Sequence, residues 1–228
     1  MTSKITVITP TADQPKGIEL LEQYMSRQTV QPDEWIVSDD GLVPATLTKN
    51  QIHLITSREH EGGKSLANNI LKGLEKATGS VIVIMEHDDY YKPNHIEVCL
   101  RTLKGFDATG CIWQRYYNVE HKCYLTMENV GSALCNTAFT KELIPFMRKA
   151  AQKAFNKDQY CVDRFFWDSL VSKRKNIHQI DTVVGIKGLP GRKGLGLGHR
   201  PDKKRGWRND LTLDVLKKWV GEDIKNYI

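Results

Sequence analysis

Residues 81–85 read VIVIM and run without a break into Glu86-His87-Asp88-Asp89. Five apolar residues in a row are too few for a helix and lack the alternation of a strand with one wet face. They fit a strand covered on both sides. Three carboxylates at its end repel one another, so the buried strand must stop there and its acids must stand at a strand terminus. In extended backbone Glu86 and Asp88 project to one face and His87 to the other. A divalent cation would relieve the repulsion. The same acids would alternatively cap a helix beginning near Pro93.

The segments before this run set its context. Residues 5–9 (ITVIT) form a β-branched strand ended by Pro10, and 34–38 (EWIVS) form a second, running into Asp39-Asp40-Gly41. A third lies at 53–56 (HLIT). Ile18, Leu20, Leu21 and Met25 repeat at helical spacing between the first two strands, and a second helix spans 65–77. Strands alternating with helices predict βαβ units, hence an α/β fold with a mixed, mainly parallel sheet flanked by helices. Function then belongs at the carboxyl ends of the strands. Beyond residue 95 the pattern predicts a hairpin, 111–119 with 122–127 around Glu120-His121. Helices follow at 140–154 and 161–173, a strand at 177–186, and a last helix near 211–219. No linker divides the 228 residues, which read as one domain in three stretches: 1–95, 96–186, and a basic loop with C-terminal helix 187–228.

The formal charge of +6 is unevenly placed. Residues 187–208 carry eight basic residues and one acid, a surplus of +7, so the remainder is close to neutral. An anion is expected to meet that stretch, whether a nucleotide diphosphate, a nucleic acid or a membrane surface. The five cysteines include no CxxC pair and read as reduced thiols. The chain opens MTSKITVITP without a secretory leader, and no apolar run approaches the ~18 residues of a membrane span. A cytoplasmic protein is the expectation.

Gly62-Gly63-Lys64-Ser65 resembles the end of a phosphate-binding P-loop but has Arg58 where the first glycine belongs. A different resemblance covers more of the chain. KITVITPT, WIVSDDG and GGKSLANNILKGLEKATGSVIVIMEHDD follow in the order and spacing of family 2 glycosyltransferases of the GT-A fold, over about residues 4–95. The resemblance implies a nucleotide-sugar donor, most often UDP-linked, with Mn²⁺ or Mg²⁺, and makes 1–95 the nucleotide-sugar-binding half and 96–186 the acceptor half. It implies that Pro10 and Thr11 lie near the nucleoside and that Asp39 binds the base with Asp40 beside it. Asp88 would correspond to the metal-binding acid of an Asp-x-Asp motif, with Glu86 in place of its first Asp. Asn68 stands where the family often has arginine, while Asn69 and Gly79 fit its pattern.

The resemblance further implies a catalytic acid at the start of a later helix. Asp163 in CVDRFFW is the candidate, although Val162 replaces the usual first acid of the pair, and Asp168 is the runner-up. In an inverting transfer this carboxylate takes the acceptor's proton. His199 resembles the late histidine that completes a metal site, and Arg192, Lys193 and Arg200 would clamp the departing diphosphate. The acceptor implied is either a saccharide or lipid-linked group or, given the basic loop and the aromatics Trp113, Tyr116, Tyr117 and Trp207, hydroxymethylated pyrimidine in DNA. Two rivals are a sugar nucleotidyltransferase, whose glycine-rich signature Pro10-Thr11-Ala12-Asp13 does not match, and a non-catalytic nucleic-acid-binding module, which leaves the acids without purpose.

Overall fold

A computed structural model describes residues 3–48, 51–189, 197–199 and 201–228, with the side chains of Leu197 and Lys203 left aside. The first half follows the sequence pattern closely. Strand β1 (Ile5–Thr11), helix α1 (Pro15–Ser26), β2 (Glu34–Asp39), β3 (Ile52–Ile55), α2 (Gly62–Lys76) and β4 (Val81–Ile84) alternate as βαβ units. The β1 strand lies between β4 and β2, parallel to both. Val81, Val83 and Met85 face one core with Ile18, Leu21 and Trp35, while Ile82 and Ile84 face the other with Ile70, Leu74 and Phe139. An apolar residue at every position is therefore what a sheet with two covered faces requires.

After β4 the chain forms β5 (Asp89–Tyr91), α3 (His95–Leu103), β6 (Ala108–Cys111), the hairpin β7 (Trp113–Asn118) and β8 (Cys123–Glu128), and β9 (Ala138–Thr140). Asp89 enters a strand and Asn94 stands at the start of α3, so the acids do not cap that helix. Helices α4 (Ile144–Lys157) and α5 (Val162–Ser169) follow, then β10 (Lys175–His178), β11 (Val183–Lys187), the short β12 (Arg208–Asn209) and α6 (Asp214–Val220). Seven strands order as β10-β6-β9-β4-β1-β2-β3, parallel except for β9; five order as β12-β8-β7-β11-β5.

Three expectations change. The strand expected at 177–186 is two strands in different sheets, because the chain crosses between them at Asp181. That carboxylate meets Arg115 at 2.7 Å, and Lys92 donates to the Asp181 carbonyl at 3.0 Å. The helix expected over 161–173 ends at Ser169, where buried Leu170 turns the chain toward β10. β6 and the three-residue β9 are not foreseen: β6 is built of small residues, and at Gly110 a Cβ would come within 2.3 Å of the Ser132 side chain.

Candidate active site

The carboxyl ends of β1, β2 and β4 meet, as register dictates. Thr11 pairs with Asp39, and β4 runs in register with β1 so that Glu86 follows just beyond Ile84. The His87 ring then reaches Pro10 O at 3.0 Å, joining the two strand ends. Gly17 of α1 backs this turn so closely that a Cβ would lie 2.8 Å from the His87 ring.

Buried Asn69 of α2 joins the neighbouring strand ends. Its amide donates to Thr11 O at 2.9 Å and to Asp40 Oδ1 at 2.8 Å, and Ser65 Oγ donates to the same Asp40 oxygen at 2.8 Å. Asp39 is buried and accepts from the backbone N–H groups of Gly41 and Ala45, both at 2.8 Å, with His53 Nε2 at 3.2 Å. It thereby shapes the 41–45 segment. The Gly62-Gly63 pair serves packing: Gly62 has φ +63°, and a Cβ on Gly63 would come within 2.6 Å of the Gln159 backbone. Their closeness brings the start of α2 against the loop before α5.

A cavity of about 310 Å³ opens over these strand ends. Pro10, Thr11, Asn69, Glu86, Asp88, Asp163 and His199 all line it, joined by Gln114, Tyr116, Tyr160 and Lys187. Asp39 and Asp40 stand behind the wall. Arg192, Lys193 and Arg200 lie outside the described residues. The Thr11 hydroxyl is buried at the cavity and makes no hydrogen bond with the protein. Asp163 opens α5 and is partly exposed; burial pushes its carboxyl up to about 6, opposed by backbone N–H donors that include Arg164 at 2.7 Å. Asp168 is exposed on the outer face of α5, 3.8 Å from Arg164, and lines no part of the cavity.

Sequence reading missed Lys187. It ends β11 on the face it shares with Val183 and Gly185, the one charge in that strand, and it is buried. Its ammonium forms an ion pair with Asp88 and another with Asp89 at 3.1 Å. Burial alone would lower its pKa, but Asp89 and Glu86 outweigh that and raise it, so the amine stays charged. Cys135 was also missed. Its thiol is pushed well up by burial and by the same two acids. Glu86, Asp89 and Cys135 offer ligand atoms within 4.8 Å of one another.

The donor set suits a divalent cation. Glu86, Asp88 and Asp89 supply hard carboxylate oxygens, and with Lys187 counted the four groups carry −2. The aromatics expected to interleave with nucleic acid behave differently. Tyr117 and Trp207 are buried, the latter packed with Cys123 and Leu125, and Tyr116 faces the cavity.

Residues 6–168 match the sequence model of glycosyl transferase family 2, well over half of the chain. The chain belongs to glycosyl transferase family 2. The chain is 28% identical over 127 residues to Glycosyltransferase GlyG of Streptococcus pneumoniae serotype 4, a match covering 53% of this chain and 41% of that protein. Its fold is similar to a mannosyltransferase of Pyrobaculum calidifontis in complex with GDP-Man and Mn²⁺ (TM-score 0.54, 16% identity, 84% of this chain and 59% of that one). S. aureus TarS 1–349 in complex with UDP is a further structural neighbour (TM-score 0.52, 14% identity, 80% and 60% covered). The chain thus has the GT-A fold of its family and spans about two fifths of the length of the curated relatives it matches. Among the described residues no helix is long and apolar enough to cross a membrane.

Proposed function

We propose that this enzyme moves a sugar from a nucleotide diphosphate donor, UDP-linked in the first instance, to an acceptor hydroxyl with inversion. The observation that carries the reading is a single cavity lined by the β1 and β4 strand ends on one side and Asp163 on the other. Pro10 and Thr11 would receive the nucleoside, the unpartnered Thr11 hydroxyl being ready for a polar group of the ligand. Asp39, buried behind the wall with three contacts already made, would serve the base through the 41–45 segment that it shapes. Asp40 and Asn69 would hold that wall in shape, and Glu86 would meet the ribose or the sugar.

Asp88 and His199 would hold the cation, Mn²⁺ or Mg²⁺. When bound, such an ion neutralises charge on the leaving diphosphate. Asp163 accepts the proton of the acceptor hydroxyl as that oxygen bonds to the anomeric carbon. The bond from that carbon to the diphosphate oxygen breaks on the opposite face, and the nucleoside diphosphate departs. Arg192, Lys193 and Arg200 would clamp it. Release of nucleoside diphosphate from a panel of nucleotide sugars tests the reading: Asp88→Ala and Asp163→Asn should each lower turnover at least about 10²-fold, and only the former should weaken cation-dependent donor binding. Full turnover by Asp163→Asn would move the base elsewhere.

For the acceptor, the positive charge left once Lys187 is paired inside and Arg192, Lys193 and Arg200 are given to the diphosphate supports an anionic polymer such as hydroxymethylated DNA. Lys204, Arg205 and Arg208 are exposed and available for phosphates. The burial of Tyr117 and Trp207 removes two aromatics from that argument, so it rests on charge. Duplex binding at low salt tests it; no affinity there assigns the acceptor to a saccharide or lipid-linked group. The cytosol is the compartment we propose for the reaction.

A further inference from the structure

The mechanism above uses the acids at the end of β4 but gives no task to the cation already among them. Lys187 is 8% exposed. Its Nζ pairs with Asp88 and Asp89, Glu86 and Cys135 stand close enough to act on it electrostatically, and it lies 5.9 Å from the Tyr116 ring centre. The stem has a second engagement. A Cβ on Gly198 would fall 2.5 Å from Lys187 Cγ, so the 197–199 turn rests directly on the lysine. Asn118 Nδ2 fixes that turn by donating to Gly198 O at 3.0 Å. The same side chain therefore touches the acid and underlies the turn that carries His199, the two residues to which the proposed function gives the metal.

We propose that Lys187 is an internal counter-ion that sets the charge of the cation site, so that the site takes one exchangeable divalent ion which competes with the ammonium for Asp88. The inference rests on the reading of Asp88 as a metal ligand. Three carboxylates alone would present −3 and hold a divalent ion tightly; with the lysine they present −2, which one such ion balances. Lys187 acts through Asp88 and the 197–199 turn and is a positioning residue.

The test is Mn²⁺ binding without nucleotide, followed by the electron paramagnetic resonance signal of the free ion. Lys187→Met removes the charge and keeps much of the stem. It is expected to tighten Mn²⁺ binding by at least about ten-fold, as removal of a unit charge beside a divalent ion in a half-buried site should. Asp88→Asn in the same background should cancel the gain. Loss of a buried partner endangers folding, so the comparison is repeated on a neutralised pair: Lys187→Met/Asp89→Asn should bind Mn²⁺ about ten-fold tighter than Asp89→Asn alone. Equal or weaker binding in both comparisons, with the unsubstituted protein binding Mn²⁺, overturns the inference and leaves the metal reading standing. Absence of Mn²⁺ binding from every protein overturns both.

Discussion

Asp163 opens an eight-residue helix at the cavity wall, and burial lifts its carboxyl from 3.8 to about 6. A general base works only when ionised, so the role proposed for Asp163 predicts that kcat/KM falls as pH drops through that value. With a value near 6, about nine tenths of the enzyme is competent at pH 7 and about one tenth at pH 5, a loss of close to ten-fold. A carboxylate at its ordinary value would be almost fully ionised at both and the profile nearly flat. The same displacement has a sign for stability. A group that holds its proton more tightly when folded stabilises the fold below the unfolded value of 3.8, and that contribution is lost as pH rises through about 6. At neutral pH ionised Asp163 therefore destabilises the chain by up to about 3 kcal/mol relative to a neutral side chain. Asp163→Asn should lose about 10²–10⁴-fold in turnover while melting several degrees higher at pH 7.5, with the gain vanishing near pH 4. The exposed Asp168→Asn should keep its activity within about two-fold. The assay is kcat/KM from pH 5 to 8 with matched melting curves. A flat profile between pH 5 and 7, or loss of activity by Asp168→Asn instead, would refute the assignment.

Two further outcomes follow from the packing. Gly63→Ala sets a Cβ 2.6 Å from the Gln159 backbone, where neither α2 nor the loop before α5 can yield cheaply; about 1–3 kcal/mol should be lost, read as a lower melting temperature. Thr11→Val deletes a buried hydroxyl without a partner in the protein, so stability should hold or rise while donor KM increases; an unchanged KM would take Thr11 out of the donor site.

The sheet was legible where local pattern and final environment agree. VIVIM had to be covered on both faces, and its two-sided division between Val83 and Ile84 meets that requirement. Pro10, Thr11, Glu86, Asp88, Asp163 and His199 were legible as ordered motif positions, and folding brings them to one cavity. What escaped depends on contacts between distant segments. Lys187 sits 99 residues from Asp88, and nothing in VVGIK tells whether its lysine faces water or acids. Gly63 reads as part of a phosphate loop until the Gln159 backbone lies against it. The β6 strand, ATGC, has one β-branched residue, Thr109, and no bulky one at Gly110, where Ser132 and Trp167 fill the space. The crossing at Asp181 is set by Arg115, which no local window contains.

The claim that matters most is that the strand ends of β1, β2 and β4 hold a nucleotide diphosphate together with a divalent cation. Thermal unfolding with UDP or GDP, each with and without Mn²⁺, tests it directly, since a ligand at about 100 times its Kd adds about 2.7 kcal/mol to apparent stability. A rise of several degrees with one nucleotide, dependent on Mn²⁺ and lost in Asp88→Ala, is the predicted result. No shift with either nucleotide at millimolar concentration, with or without Mn²⁺, would contradict it.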